Sequence, residues 1–248
     1  MLWIGASIGP VERACIRSVL RQGHPLRLWT YSPPARVPDG VEMAEARLVL
    51  PESAIIRHRN GSVALFANRF RYRLQQLGLG AWLDTDIYLI RPFSGSNYLL
   101  TEEAPGLINN APFKTPPDSP LLAPLLALFE EKTVPSWLPL RDRIAARLRL
   151  LTTGRSGLSR MPWGVAGPRA VTALARQYGL DHLASPPETF HPFSWTEADW
   201  ILDPARTLDQ RATEATVGVH LWNECIKGFK DKPAPPGSFL ARLQAEGA

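Results

Sequence analysis

Two aspartates one residue apart, Asp84 and Asp86, interrupt the apolar run Trp82-Leu83-Asp84-Thr85-Asp86-Ile87-Tyr88-Leu89-Ile90. The run has strand length and strand residue types, and Arg91-Pro92 closes it. Alternation along a strand places both carboxylates on one side. Two like charges held together among apolar neighbours need a positive partner, and their hard oxygens suit Mg2+ or Mn2+. A bare Asp-x-Asp is more often a solvated strand end. A solvated turn, however, has no need of Trp82, Leu83, Ile87, Leu89 and Ile90 around it.

Other residues able to join such a site lie far off in sequence. His220 closes a late apolar stretch, Val217-Gly218-Val219-His220-Leu221-Trp222-Asn223, and Asn223 adds an amide oxygen. The two are candidate third and fourth metal ligands beside Asp84 and Asp86, although a lone histidine at a strand end is usually a satisfied polar group. Asn68 and Arg71 are three residues apart and share a helical face. Turned inward together, they would meet a charged ligand near the metal. Turned outward, Arg69, Arg71 and Arg73 form an ordinary solvated face. Trp3, Tyr31 and Trp163 are aromatics at strand ends or in a glycine-rich loop, where core packing competes with stacking on a nucleobase.

The elements that must position these groups read as α/β. A short strand at Leu2-Trp3-Ile4-Gly5, a helix from Pro10 to Gln22 and a strand at 26–31 make a parallel βαβ opening. A third strand is expected at 41–46 and a helix over 62–76 leading into the Asp-x-Asp strand. A strand at 107–110 ends in Asn109 and Asn110, and helices are expected over 120–132, 138–151 and 169–178. The expectation is a Rossmann-like, mostly parallel sheet flanked by helices. It forms one domain over 1–230 with a helical excursion at 120–160, followed by a proline-rich tail over 231–248 with a short helix. Ligands of such sheets bind at the carboxyl ends of the strands.

Composition narrows the class. The chain has 248 residues, a formal net charge of +5, two cysteines without metal spacing, and 24 prolines gathered into loops. The basic excess suits an anionic partner. Basic residues interleaved with aromatics are absent, which argues against nucleic acid. No apolar stretch has membrane-spanning length, and neither a leader pattern nor a disulfide framework is visible, so a cytoplasmic protein is expected. The arginine- and leucine-rich helix at 138–151 is either a charged outer face or a surface for peripheral contact with an anionic membrane, at its inner face.

The order Asn68-x-x-Arg71, Gly80, Trp82-Leu83-Asp84-Thr85-Asp86 resembles the DXD glycosyltransferases of GT-A fold. The likeness is to the group of alpha-1,4-galactosyltransferases, the yeast initiating mannosyltransferase and the bacterial capsule transferases, whose core the glucosylating clostridial toxins share. Trp3-Ile4-Gly5, Gly23-His24, Trp29-Thr30-Tyr31, Trp163-Gly164-x-x-Gly167-Pro168, Phe190-His191-Pro192 and His220-Leu221-Trp222-Asn223 are similar too, so the resemblance spans about residues 2–223.

That resemblance implies a retaining transfer from a nucleotide-sugar donor, a UDP-sugar foremost, to a glycan or glycolipid acceptor of a surface polysaccharide, with Mn2+ or Mg2+. It implies Asp84 toward ribose and metal, Asp86 on the metal, and His220 with Asn223 completing the shell. Arg71 and Asn68 would hold the sugar, Trp3, Ile4 and Tyr31 would border the nucleotide, and Trp163 and Gly164 would also line the donor. Asn109 or Asn110 would lie near the anomeric carbon. Two departures stand out: Asn68 replaces the group's usual Asp, and Leu79-Gly80 replaces a Gly-Gly pair. The first keeps alive a degenerate nucleotide-sugar binder. An Asp-x-Asp phosphohydrolase is the other alternative, although such enzymes carry the motif on their first strand.

Overall fold

Strand β1 (Leu2–Trp3), helix α1 (Pro10–Arg21), β2 (Leu26–Thr30) and β3 (Val41–Glu45) open the chain in a computed structural model that describes residues 1–58, 61–93 and 96–248. Pro10 starts α1 with its φ already helical, and Gly23, at φ +78°, turns the chain back into β2. The buried stripe Val11, Ala14, Cys15 and Val19 gives α1 its inner face. β1, β2 and β3 pair in parallel, with Leu2 opposite Trp29 and Leu26 opposite Val41, as the βαβ reading requires.

Beyond β3 come α2 (Ala64–Gln76), β4 (Trp82–Leu83), β5 (Ile87–Leu89), β6 (Leu99–Ala104) and β7 (Leu107–Lys114). They are followed by α3 (Leu122–Ala127), α4 (Leu140–Thr153), α5 (Pro168–Gln177), β8 (Ala184–Ser185), β9 (Gly218–His220), α6 (Asn223–Ile226) and α7 (Phe239–Glu246). The class is mixed α/β with small mixed sheets. The mostly parallel sheet is not what forms. β1-β2-β3 is wholly parallel, but the second sheet runs β4-β7-β6-β8 with antiparallel pairing of β7 to both neighbours, and β5 pairs antiparallel with β9. The cause is the hairpin of β6 and β7, turned at Gly106 with φ +74°, where only the short run 107–110 is apparent from sequence.

The acidic motif is also not one strand. β4 pairs with Phe113 and Pro112, whereas β5 pairs with Val219 and His220 in another sheet. Asp84-Thr85-Asp86 is the turn between them, closed by Ile87 N–H donating to Asp84 O at 3.2 Å. The two acids converge through that turn and not through strand alternation.

Three apolar clusters hold these pieces. α2 drives Phe66, Phe70 and Leu74 against Trp82, Phe113 and the inner face of α5. Trp200 stacks between Phe193 (4.0 Å) and Phe239 (4.8 Å), fastening α7 and β9 beside α1. Met1, Leu28, Leu83 and Ile87 close the space between β2 and the motif. The turn 84–86 therefore sits where all three sheets meet, on rigid flanks. Among the described residues no helix is long and apolar enough to cross a membrane.

Candidate functional site

Asp84 is positioned first by its backbone, whose N–H donates to Ala111 O at 3.0 Å on β7. Its carboxylate then meets α2. Arg71 Nη2 lies 2.9 Å from Oδ1 and 3.3 Å from Oδ2, and the Trp82 indole N–H donates to Oδ1 at 2.6 Å. Arg71 is buried, with its guanidinium over the Trp82 ring at 4.9 Å, and it also donates to the Asn110 carbonyl. The inward orientation required of Arg71 is thus the one adopted, forced by the apolar flanks Phe70 and Leu74 that pull this part of α2 into the core.

Asp86 is held from the other side. Its Oδ2 lies 3.2 Å from His220 Nε2 and accepts the Asn223 N–H at 2.8 Å, while its carbonyl accepts Leu221 N–H at 2.9 Å. Trp222, at φ +58°, makes this possible. A bulky residue there is strained, and the kink swings the chain from β9 into the first turn of α6 so that the Asn223 N–H, which has no acceptor within the helix, faces the acid. The Trp222 ring packs on His220 at 4.2 Å, and its indole N–H donates to Phe193 O at 2.9 Å.

One ligand atom each from Asp84, Asp86 and His220 lies within 4.8 Å of the others, and these three residues could hold a metal ion. Two carboxylates and one imidazole form a donor set for a hard or borderline divalent cation such as Mn2+ or Mg2+. His220 Nδ1 is buried without a hydrogen-bond partner. The electrostatics are internally balanced even so. Burial acts to raise Asp86, but His220 and the hydrogen bonds from His220 and Asn223 bring it down to about 2. Burial lowers His220, and the charge and hydrogen bond of Asp86, with Asp84 and Glu103 behind it, raise it overall. Burial raises Asp84, with Arg71 pulling the other way and Asp86 adding to the rise.

Asn223 differs from the expectation. It touches Asp86 through its backbone, while its side-chain oxygen accepts from Lys230 Nζ at 2.7 Å, a lysine also paired with Glu12. The amide oxygen is committed elsewhere, so a role for Asn223 as metal ligand is not supported by its placement.

On the α2 side, Asn110 Nδ2 donates to Asn68 Oδ1 at 3.0 Å and to Tyr72 Oη at 2.9 Å, and Tyr72 in turn donates to Ala166 O at 2.8 Å. A Cβ on Gly167 would stand 3.2 Å from Asn68 Nδ2 and 3.4 Å from Asn110 Oδ1, so glycine is what lets the 163–167 loop close on this pair. Trp163 and Gly164 belong to that loop. Trp163 is half exposed, edge-on to His58 at 5.4 Å. Asn109 faces the opposite side of β7, accepting Ala111 N–H at 2.6 Å and donating to Glu103.

The structure brings Asn68, Arg71, Asp84, Asp86, Asn110 and His220 into one connected network. Tyr31 lies outside it. Its hydroxyl donates to Leu50 O at 2.8 Å, and its ring is covered by Phe66 at 6.1 Å and by Arg47, so no free face is left to stack on a base. Trp3 and Ile4 pack against the first sheet, with the Trp3 indole N–H buried and unpartnered. Two nearby residues were not singled out from sequence. Tyr72 is hidden in the helix pattern as a core aromatic. Glu103 carries no local signal, yet burial raises its carboxyl and it acts on His220. Comparison with protein-family models, curated proteins and solved structures finds no match to this chain.

Proposed function

We propose that the chain is a metal-dependent hexosyltransferase of GT-A type, moving a sugar from a nucleoside-diphosphate sugar to a hydroxyl of a glycan or glycolipid. The observation that carries this reading is the convergence of Asp84, Asp86 and His220 beside the buried Arg71 and the Asn68–Asn110 pair. Asp84, Asp86 and His220 would hold Mn2+ or Mg2+. A bound divalent ion supplies charge neutralisation for the departing diphosphate. Arg71, locked on Asp84 and Trp82, directs fixed positive charge toward the same region and needs no reorganisation to do so. Asn68 and Asn110 offer neutral hydrogen-bonding groups for sugar hydroxyls, and the half-exposed Trp163 offers an apolar face. No carboxylate replaces Asn68 to attack the sugar from below. Retention then fits a front-face transfer in which the departing phosphate oxygen takes the proton of the acceptor hydroxyl. Asn68 also favours a second reading, a binder of nucleotide sugars without transfer.

Thermal shift with nucleotide sugars, with and without manganese, tests the proposal. A donor at 100 times its Kd adds about 2.7 kcal/mol, or roughly 5–10 °C for a chain of this size. The shift should need manganese and vanish in Asp86→Ala. Slow release of nucleoside diphosphate and free sugar marks a transferase, a shift without release marks a binder, and release of inorganic phosphate from a generic ester refutes both.

A further inference from the structure

Helix α4 is poorly explained by the fold it belongs to. Of its fourteen residues only Ala146 is buried. Leu140, Ile144, Leu148 and Leu151 are 62%, 57%, 61% and 85% exposed. Their spacing of four, four and three places them on one stripe, on the face away from Ala146. A soluble helix turns such a stripe inward, and this one turns it out. The C-terminal end is nevertheless firmly built. Gly154 ends the helix at φ +71°, and just past it the N–H groups of Gly157 and Leu158 donate to the Glu131 carboxylate, both at 2.9 Å. The helix is therefore fixed at that end, with its apolar face presented to the outside.

Charge identifies what covers it. Over 140–155 five arginines stand against the single Asp142. Arg141 follows the stripe on one side, and Arg143 and Arg147 flank it on the other, while Arg155 lies just past the end. Arg141, Arg147 and Arg155 make no ion pair among the described residues. A second copy meeting this face would bring both sets of arginines together, which like-charge repulsion opposes. At about 21 Å the helix is too short to span a bilayer. An apolar stripe edged by unpaired arginines matches the boundary between acyl chains and anionic headgroups.

We propose that α4 is an in-plane anchor that docks the protein on an anionic phospholipid bilayer, with Leu140, Ile144, Leu148 and Leu151 entering the acyl boundary and Arg141 and Arg147 at the phosphates. This does not depend on the transferase reading.

Co-sedimentation of the full chain with vesicles tests it, using phosphatidylcholine alone and phosphatidylcholine with one-third phosphatidylglycerol, at low and high salt. Sedimentation with the anionic vesicles, suppressed by salt, is expected. The double variant L148E/L151E, both sites solvent-exposed, should keep the wild-type melting temperature and lose binding at least tenfold. Arg141→Gln and Arg147→Gln should each weaken it about fivefold, the equivalent of about 1 kcal/mol per charge. Equal binding to neutral vesicles, no binding to anionic ones, or full binding by L148E/L151E overturns the proposal. So does a dimer in light scattering that L148E/L151E dissociates.

Discussion

His220 Nε2 lies 3.2 Å from Asp86 Oδ2, so the imidazole a metal would use is already the acid's partner. Burial leaves the pair little water to lean on, and each group stabilises the charged form of the other. Proton and metal therefore compete for the ring, because ligation through either nitrogen needs it neutral.

The stability of the metal-free protein should record that pairing. Asp86 is held at about 2 against an ordinary value of 3.8, so its contribution is complete above 3.8 and is lost as the pH falls through about 2. His220 is raised above its ordinary 6.5, so its contribution is complete below 6.5 and is lost as the pH rises through the raised value. The pair supports the fold most between about pH 4 and 6.5, at about 2 kcal/mol. Melting temperatures from pH 2 to 9 check this. Because the buried N-terminus and His191, both lowered, add stability as the pH rises, the pair is read as a difference: wild type should lose stability relative to His220→Asn above pH 6.5, and the increment given by manganese should grow from pH 6 to 8. Parallel curves for the two proteins above pH 6.5 would refute the coupling.

Arg71 and Asp84 form the second internal pair, and it predicts a non-additive cycle. Arg71 keeps 5% of its side-chain exposure and Asp84 27%, so the pair is buried on one side only. Arg71→Met strands the carboxylate and the Asn110 carbonyl, at about 3 kcal/mol, the lower end for a broken buried pair. For a chain of this size that is a fall of roughly 6–12 °C in Tm. Asp84→Asn in the Arg71→Met background should restore part of it, with a coupling of about 1–3 kcal/mol. Arg71→Lys, which keeps the charge but not the fork, should recover less than half. Simple addition of the two single effects would mean that the contact is incidental.

What could be read from sequence divides along physical lines. α1, α2 and α5 were legible because helical periodicity and the Pro10 start are local. The acids stood out because charge inside an apolar run is expensive wherever the run goes. Their arrangement was illegible, since it depends on β4 choosing Phe113 and β5 choosing His220, pairings more than 25 residues away in sequence. The same gap explains Asn223, where the right residue acts through its backbone: nothing local announces that Trp222 takes a left-handed conformation. Tyr31 shows the reverse error. A strand-end aromatic followed by prolines looks available, but Leu50 and Phe66 reach it from a distant segment.

Gly167 and Gly164 together separate site from scaffold. Gly167 stands at φ −119° and ψ −122°, outside the regions that a residue with a Cβ favours, so alanine there has a backbone cost of its own. It brings a methyl group 3.2 Å from Asn68 Nδ2, a distance at which the amide must give by a few tenths of an ångström. Gly164, three residues earlier, carries the backbone cost without the site contact: φ is +77° and the space around a Cβ is open. Gly164→Ala should therefore act on the fold, costing about 1 kcal/mol and a few degrees of Tm. Gly167→Ala should also cost a few degrees of Tm but, unlike Gly164→Ala, should weaken nucleotide-sugar binding several-fold, because the hydrogen-bonding edge made by Asn68 and Asn110 is displaced. Calorimetric titration of both variants with donor and manganese distinguishes them. Donor affinity in Gly167→Ala within twofold of wild type would remove the Asn68–Asn110 pair from the donor site and leave the metal-centred residues to carry the binding alone.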